Sequence, residues 1–365
     1  MTFANIQSIL LKKMTVSLLV AILALFGISV LVLFSASQGS WDKLSSHLMN
    51  ILVALVLMWC IANLPFQYLH RIALPLYLIG LLLLVLTMLI GYESKGAQRW
   101  LDVGFIRLQP SELMKIVVPL TLAWYFDRYE KVLSLGNFIV AIILLLIPVA
   151  LILDQPDLGT AILLAASGFF IIFFAGLSMR VLLTLVVLCL LALPFAWQFL
   201  HEYQQQRVLT LVNPYADPLG SGYHTIQSAI ALGSGGFFGK GWMNGTQSQL
   251  NFLPEGSTDF IFAVLGEEFG LIGIFVVGVL YGFIIYKGLH IASLASTLFS
   301  RLVAVSLTLT FFIYVFVNIG MVTGVLPVVG VPLPLISYGG TSAVTLLLGL
   351  GILMNIDKNR RLVQT

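Results

Sequence analysis

A single carboxylate stands out by its place in the sequence. Asp259 ends the polar segment 254–259 and directly precedes a long apolar stretch. Ser, Thr and Asp at such a position commonly cap the free N–H groups of a helix N-terminus. A carboxylate there can instead act as a general base that takes a proton from a substrate hydroxyl. The local sequence leaves both interpretations open.

Small residues follow Asp259 on one side of the helix predicted after it. With 3.6 residues per turn, four of them fall within about 40° of Asp259: Ala263, Gly266, Gly270 and Gly273. Such a stripe lets another helix or a lipid chain approach closely. Glu267 and Glu268 lie about two turns deeper, with Glu267 nearer the Asp259 face. Because ionisable groups inside a span usually face the bundle interior, we expect a structural hydrogen-bonding role for them.

Four other charged residues could bind a phosphate group or hold helices together. Glu112 and Lys115 are three residues apart and can meet on one helix face. Lys115 then forms either an interfacial ion pair or a phosphate contact. Arg99 is a neighbouring candidate for the phosphate. Arg207 is a lone cation near a turn, and its guanidinium could contact phosphate oxygens in a bidentate manner.

Three further features have ordinary structural explanations. Asp157 closes the segment 154–157, which fits a tight turn that also caps the next helix; a substrate or cation contact is the alternative. The glycine-rich segment 233–241 lacks residues that a phosphate-binding P-loop requires, so we expect a flexible outer loop. His201 and His224 have no metal-ligand spacing and are expected to be ordinary loop residues.

The composition indicates which elements must position these side chains. Of 365 residues, 59% are hydrophobic and only 9% are charged, whereas a soluble domain carries roughly 25% charged residues. So few charges cannot coat a soluble body, and we therefore predict an integral membrane protein. The net charge of +3 gives no sign of nucleic-acid binding. Two cysteines inside apolar runs offer neither a disulfide framework nor a metal site.

Ten apolar segments approach the length of about 20 residues that a membrane helix needs. We predict an all-α polytopic membrane protein with spans over 15–36, 47–64, 72–91, 111–126, 137–153, 158–177, 181–199, 260–286, 302–322 and 338–356. Lys and Arg favour cytoplasmic loops, which places both termini in the cytoplasm. Most acidic residues then lie on the outer side, where we expect the polar chemistry.

Three segments outside the spans are candidates for building the site. The outer loops 92–110 and 200–258 exceed the length of about 12–15 residues beyond which loops are commonly functional. The longer loop lies between the seventh and eighth spans, and its apolar part 226–232 could form a short interfacial helix. In 324–342, three prolines preclude a regular helix. Its apolar backbone must therefore be satisfied by protein or water, as in segments that line a cavity.

These stretches together resemble the SEDS family (shape, elongation, division and sporulation proteins) over nearly the whole chain. The matching stretches, in matching order and spacing, are GAQRWL at 96–101, QPSELMK at 109–115, QPDLG at 155–159, LPEGSTDF at 253–260 and PLPLISYGG at 332–340. The segments 245–250 and 327–332 resemble the elongation branch of the family rather than the division branch.

The resemblance implies a single membrane domain over 1–365 in the bacterial cytoplasmic (inner) membrane. It implies a peptidoglycan glycosyltransferase that polymerises lipid II at the outer face during elongation and shape maintenance. The implied partners are a class B penicillin-binding transpeptidase and other elongation-complex proteins. The family's essential aspartate falls on Asp259, and its glutamate and lysine of the fourth span fall on Glu112 and Lys115. A lipid II flippase and a non-enzymatic scaffold for the transpeptidase are the alternatives.

An inverting displacement is the expected mechanism. Asp259 accepts the proton of an acceptor hydroxyl, which attacks the anomeric carbon of a lipid-diphosphate-linked glycan. Positive charge would stabilise the leaving diphosphate, and its candidates are Arg99, Lys115 and Arg207. Further substrate-binding candidates in the matching stretches are Glu112, Asp157, Ser337 and Tyr338. No cofactor is required by the sequence; a divalent cation, Mg²⁺ or Mn²⁺, on the diphosphate is left open.

Overall fold

Helices make up most of the chain. The computed structural model describes residues 3–94, 97–102, 104, 107–129, 134–199, 202–220 and 222–359. Within these residues the helices are α1 (Phe3–Ala36), α2 (Trp41–Asn63), α3 (Phe66–Ile90), α4 (Pro110–Arg128), α5 (Leu135–Asp154), α6 (Leu158–Phe174), α7 (Met179–Phe199), α8 (Glu202–Val212), α9 (Tyr223–Gly235), α10 (Thr246–Gln249), α11 (Ile261–Ser293), α12 (Leu298–Val322) and α13 (Gly340–Asn359). A 3₁₀ turn covers Pro214–Ala216.

The predicted spans coincide with ten of these helices, α1 to α7 and α11 to α13. Seven of the ten are long and apolar enough to cross a membrane: Val16–Ala36 of α1, and α2, α3, α5, α11, α12 and α13. Two more are shorter apolar helices, α6 and the part Met179–Ala192 of α7. α4 also carries charged residues at both of its ends. The prediction of an all-α polytopic membrane protein is confirmed, while the count of ten spans and the position of the termini stay predictions.

The centre of the bundle is formed by α4, α12 and α13. α4 is buried from Pro110 to Ala123 except at Leu113, and most of the apolar stretch of α12 and α13 is inside the protein. α2, α3 and α5 expose most of their length instead, as expected for helices that face lipid. Glu112 and Lys115 thus lie on one of the inner helices, α4, where ionisable groups can find protein partners.

A small antiparallel sheet, which no sequence pattern predicts, follows α3. Its strands are β1 (Tyr92–Ser94), β2 (Ala97–Asp102) and β3 (Arg107–Leu108), with β2 in the middle. Tyr92 pairs with Trp100, and Leu101 pairs with Leu108. β2 packs against α3 and α4, so the sheet covers the end of the bundle at which α4 begins.

The long helix α11 is broken at Gly270, where φ is +62° and ψ is −159°. The loop after α9 supplies hydrogen-bond partners for the backbone groups of α11 that the break leaves without helical partners. The N–H groups of Lys240 and Gly241 donate to the carbonyls of Glu267 and Glu268 over 3.0 Å each. On the far side of the break, Leu271 N donates to Gly236 O over 3.1 Å. The prediction of a flexible loop at 233–241 is therefore wrong, because this loop completes the hydrogen bonding of a membrane helix.

The small residues of α11 pack against a helix. This is one of the two expected neighbours, the other being a lipid chain. A Cβ atom on Gly235 at the end of α9 would lie 2.0 Å from the carbonyl oxygen of Gly266. A Cβ atom on Gly266 would lie 2.4 Å from Leu232. Close approach of the two helices therefore requires glycine at 235, where a Cβ would meet backbone, whereas a Cβ at 266 would meet only the end of a side chain. The projection of a straight helix from Asp259 is wrong, however, because α11 begins at Ile261 and is interrupted at Gly270.

Candidate active site

The loop that carries Asp259 is fastened to the proline-rich segment before α13. Ser337 Oγ donates to the carbonyl of Thr258 over 2.6 Å and accepts from the N–H of Leu333 over 2.8 Å. The N–H of Tyr338 donates to the carbonyl of Ser257 over 2.9 Å. Ser337 and Tyr338, both predicted site residues, thus lie beside Asp259 and hold its loop in place.

Asn318 of α12 joins the Asp259 loop to the proline-rich segment as well. Its Nδ2 donates to the carbonyl of Asp259 over 2.9 Å and to the carbonyl of Val331 over 2.7 Å, and the residue is fully buried. On the other side, Gly330 has φ of +75°, and a Cβ atom there would lie 3.5 Å from Asp259 Oδ2. The partly buried carboxylate of Asp259 is therefore fixed through its own backbone and flanked by a glycine.

Asp259 does not occupy the capping position of α11. The N-cap residue is Phe260, and the helix begins at Ile261. The capping interpretation of Asp259 is therefore not borne out by the backbone. The carboxylate lies close to the positive end of the α11 dipole, which stabilises a negative charge there.

The proline-rich segment is non-helical and its carbonyls are satisfied by side chains from three membrane helices. Tyr281 OH donates to Pro334 O over 2.6 Å. Ser29 Oγ donates to Ile336 O over 2.7 Å, and the buried His47 Nε2 lies 2.8 Å from Ser29 Oγ. With Asn318 on Val331, these contacts confirm that protein groups satisfy this backbone, as expected for non-helical chain at membrane depth.

Two non-glycine residues with positive φ lie in the two segments that meet at Asp259. Glu255 has φ of +53° and Leu335 has φ of +61°. Such conformations cost about 1–3 kcal/mol each and persist where surrounding contacts hold them. Here those contacts are the hydrogen bonds that join the two segments, so the geometry around Asp259 is set before any substrate arrives.

Asp157 caps α6 and organises the neighbouring part of the site. It accepts from Thr160 N over 3.2 Å and from Thr160 Oγ1 over 3.0 Å, which confirms the N-cap. Gln109 Nε2 also donates to it over 3.3 Å. Arg99 Nε lies 3.9 Å from Asp157 Oδ2, and its guanidinium donates to the carbonyls at 155 and 156. Arg99 and Asp157 therefore lie together and fasten β2 to the turn before α6.

α6 also approaches the wall next to Asp259. A Cβ atom on Gly159 would lie 2.8 Å from the carbonyl oxygen of Val329. Val329 directly precedes Gly330, the glycine that flanks Asp259 Oδ2. The QPDLG stretch and the proline-rich segment thus meet in space at the catalytic candidate, although about 170 residues separate them in the sequence.

Glu112 and Lys115 form a buried ion pair in the first turns of α4. Lys115 Nζ donates to Glu112 Oε1 over 2.5 Å and also to the hydroxyl of Tyr314 on α12. Lys115 is 3% exposed. The second carboxylate oxygen of Glu112 is buried without a partner among the described residues. The ion-pair interpretation is confirmed, and phosphate binding by Lys115 stays a prediction.

Arg207 lines a cavity of about 310 Å³. We call it the α8–α9 cavity, because α8 and the start of α9 form two of its walls and the segment 326–328 forms the third. Its lining residues are Gln206, Arg207, Thr210, Leu211, His224, Thr225, Leu326, Pro327 and Val328. The volume is at the lower end of the range of about 300–1,000 Å³ that is usual for ligand pockets.

His224 was expected to be an ordinary loop residue, but it lies in α9 and lines the α8–α9 cavity. Its ring stacks on Phe260, with 5.5 Å between ring centroids and 15° between planes. Burial lowers the pKa of His224 below its ordinary value of 6.5, and Glu255 partly opposes this shift. The predicted helix over 226–232 is confirmed as part of α9.

The buried acids of α11 have a structural role, as expected. Glu267 Oε1 accepts from Lys240 Nζ over 2.7 Å, from Thr246 Oγ1 over 3.1 Å and from Gln247 N over 3.1 Å. Ser35 Oγ donates to Glu268. Both acids thus fasten the long outer loop and α1 to α11 below the site.

Sequence reasoning missed Asn318, Ser29, His47 and His224. Each is a polar residue inside a helix, and its importance depends on a partner distant in the sequence. The only local signal was polarity within a span, which is costly unless a partner satisfies it. In the described part of the chain, no group of three His, Cys, Asp or Glu side chains could hold a metal ion.

Known proteins share this sequence and architecture. Residues 10–362 match the cell cycle protein family of FtsW, RodA and SpoVE. The peptidoglycan glycosyltransferase MrdB of Escherichia coli (strain K12) is 50% identical over 348 residues, 95% of this chain and 94% of that protein. MrdB of Helicobacter pylori (strain ATCC 700392 / 26695) is 38% identical, over 92% of this chain and 88% of that protein.

Solved structures agree with the sequence relatives. One is described as "Structural coordination of polymerization and crosslinking by a peptidoglycan synthase complex"; it has a TM-score of 0.83 and 32% identity, over 94% of this chain and 97% of that chain. The rod shape determining protein RodA of Thermus thermophilus has a TM-score of 0.72 and 28% identity, over 94% of this chain and 96% of that chain. With a match over nearly its whole length, the chain belongs to the FtsW, RodA and SpoVE family of cell cycle proteins, which is the SEDS family that its motifs resemble.

Proposed function

We propose that this protein is a peptidoglycan glycosyltransferase that polymerises lipid II at the outer face of the bacterial cytoplasmic membrane, during elongation and shape maintenance. The observation that carries the proposal is the fixed position of Asp259. Its backbone is held by Asn318 and its loop by Ser337. His224, which lines a ligand-sized cavity together with Arg207, stacks on the next residue, Phe260. Relatives named peptidoglycan glycosyltransferase share 50% and 38% of their aligned residues with this chain.

In the proposed reaction, Asp259 acts as the general base. Its carboxylate accepts the proton of an acceptor sugar hydroxyl, and the resulting oxygen nucleophile attacks the anomeric carbon of the donor. The new glycosidic bond forms as the bond from the anomeric carbon to the diphosphate oxygen breaks. The lipid diphosphate leaves with that electron pair, and the configuration at the anomeric carbon inverts. A preformed base of this kind contributes about 10²–10⁴-fold to a rate.

The predicted cations differ in what they can offer the diphosphate. Arg207 lines the α8–α9 cavity, so we propose it as a direct ligand of a phosphate. Arg99 holds the turn before Asp157, and we propose that Arg99 and Asp157 contact substrate at the rim of the site. Lys115 and Glu112 are buried next to Tyr314, from where their charges would act on the site through α4.

Ser337 and Tyr338 contribute to substrate binding in this proposal by shaping the wall beside Asp259. The proposal requires no divalent cation, and one on the substrate's diphosphate, Mg²⁺ or Mn²⁺, is left open. The proposed partner is a class B penicillin-binding transpeptidase, since a similar structure is described as a peptidoglycan synthase complex of polymerisation and crosslinking. Other elongation-complex proteins are proposed partners on family grounds alone.

The test of this function is a polymerisation assay with the purified full chain and its transpeptidase partner, the latter blocked by a β-lactam so that only glycan strands form. With lipid II in detergent, we expect strands that a muramidase digests, and none with the partner alone. Lipid II transport in vesicles without any polymer would identify a flippase instead. Activity of neither kind, with the partner still bound, would identify a scaffold.

A further inference from the structure

Two walls of the α8–α9 cavity continue into the structure that holds Asp259. On one side, the His224 ring stacks on Phe260, which follows Asp259 in the chain. On the other side, the segment 326–328 leads to Gly330, where a Cβ atom would lie 3.5 Å from Asp259 Oδ2. Two walls of the cavity are therefore connected to the segments that hold the Asp259 carboxylate.

The lining of the cavity has the chemistry of a sugar–phosphate site. Five side chains are polar, and the aliphatic ones lie mainly on the 326–328 wall. A guanidinium such as that of Arg207 binds phosphate oxygens with charge-assisted hydrogen bonds. The remaining polar groups match the hydroxyl and amide groups of a sugar.

His224 is suited to the sugar rather than to the phosphate. Because burial lowers its pKa, the imidazole is neutral at neutral pH. Its second ring nitrogen, Nε2, can then either donate or accept a hydrogen bond, depending on the tautomer. The stacking on Phe260 fixes the plane of the ring. Its Nδ1 is buried without a partner among the described residues, so the ring meets the cavity through its other atoms.

We propose that the α8–α9 cavity is the donor subsite for the sugar that is linked to the lipid diphosphate, with Arg207 on the phosphate and His224 as a specificity-determining residue on the sugar. This inference rests on the proposed glycosyltransferase function. At about 310 Å³ the cavity holds one end of the donor, not the whole disaccharide peptide. In this proposal the bond that is broken lies at the end of the cavity nearest Phe260 and Gly330, towards Asp259.

The experiment separates the phosphate contact from the sugar contact by using two probes. Binding of lipid II and of undecaprenyl diphosphate is measured with the purified full chain in the Asp259→Asn background, which prevents turnover. Added Arg207→Gln should weaken both probes on the order of tenfold or more, since hydrogen bonds to charged groups are the stronger ones. Added His224→Phe keeps a stacking ring and should weaken lipid II about three- to tenfold, leaving undecaprenyl diphosphate unchanged.

Controls decide what a loss of binding means. Arg180→Gln makes the same chemical change as Arg207→Gln at an exposed position away from the cavity and should bind both probes like the background. His224→Gln should restore part of the lipid II affinity, and it replaces His224→Phe if that variant does not fold. Equal weakening of both probes by His224→Phe, or unchanged binding in both cavity variants, would overturn the inference. The proposed function is tested separately, by whether the wild type polymerises lipid II.

Discussion

At the scale of single residues, Ser337 shows how the site is held by side chains that do no chemistry. Its hydroxyl joins Thr258 O and Leu333 N, and both contacts are short. Ser337→Ala would leave both backbone groups unpaired in a buried place, at a cost of about 1–3 kcal/mol. We expect a lower melting temperature and a reduced kcat, measured by thermal unfolding and polymerisation.

Ser45→Ala is the matched control for Ser337→Ala. Its hydroxyl donates to Asp42 O at an exposed position on α2, so melting temperature and kcat should both stay at the wild-type level. Equal melting temperatures for Ser337→Ala and the wild type would show that Ser337 does not fasten the Asp259 loop.

The titration of His224 gives a second prediction at this scale. Burial holds its pKa below the ordinary value of 6.5, so the unfolded chain takes up this proton first as the pH falls. Protonation then favours the unfolded state, and the free energy of unfolding should fall as the pH drops below about 6.5. The negative charge of Glu255 opposes this lowering of the His224 pKa. Arg207, which lines the same cavity, carries a positive charge.

The measurement compares thermal unfolding of the wild type and His224→Gln between pH 7.5 and pH 5. The variant lacks this proton uptake, so its stability should depend less on pH than that of the wild type over the same window. Parallel curves for the two proteins would contradict the buried, neutral imidazole.

At the scale of elements, the break in α11 couples the long outer loop to the membrane bundle. Gly270 has φ of +62°, and a Cβ atom there would lie 2.4 Å from Gly239 N and 2.7 Å from Phe237 O. The methyl group of Gly270→Ala would therefore clash with the backbone of Gly239 and of Phe237, and it should displace the loop. We expect a large loss of melting temperature and of polymerisation, measured on the purified protein.

Gly278→Ala in the same helix provides the comparison. Nothing lies within 4 Å of a Cβ atom at Gly278, and alanine favours helix over glycine by about 1 kcal/mol. This variant should be as stable as the wild type or more so. If Gly270→Ala behaved in the same way, the loop would not depend on the break.

These elements show where sequence reasoning works and where it stops. The non-helical segment before α13 was predictable, because three prolines in an apolar stretch leave its backbone in need of partners. The break at Gly270 was not, since a glycine in a small-residue stripe is ordinary in membrane helices. Its partners at 236–241 lie about 30 residues earlier, and no local pattern marks them.

The site shows the same division. Asp259, Asp157 and the Glu112–Lys115 pair were found because motif spacing or helix periodicity marks them. Asn318 was missed, although it holds Asp259 O and Val331 O at once. A single Asn within an apolar helix gives no hint of which distant segments it joins.

At the scale of the whole molecule, the central prediction is the direction in which the chain crosses the membrane. The long loop 200–258 and the Asp259 loop should lie outside, and the turns at the other end of the bundle should lie in the cytoplasm. Leu219 is 88% exposed in the long loop, and Ser178 is exposed in the turn before α7. Each can carry a single cysteine after Cys60 and Cys189 are replaced.

With a membrane-impermeant maleimide, Leu219→Cys should be labelled in intact spheroplasts. Ser178→Cys should be labelled only after lysis. The opposite pattern would reverse the orientation and place Asp259 on the side away from the growing cell wall.

The most direct test of the whole account is polymer formation by Asp259→Asn, which keeps the shape of the side chain and removes its capacity to accept a proton. Asp154→Asn makes the same change at an exposed position at the end of α5 and serves as its control. With lipid II and the transpeptidase partner, Asp259→Asn should melt like the wild type and lose about 10²–10⁴-fold in rate, while Asp154→Asn stays active. Wild-type rates of glycan strand formation by a folded Asp259→Asn protein would contradict the account.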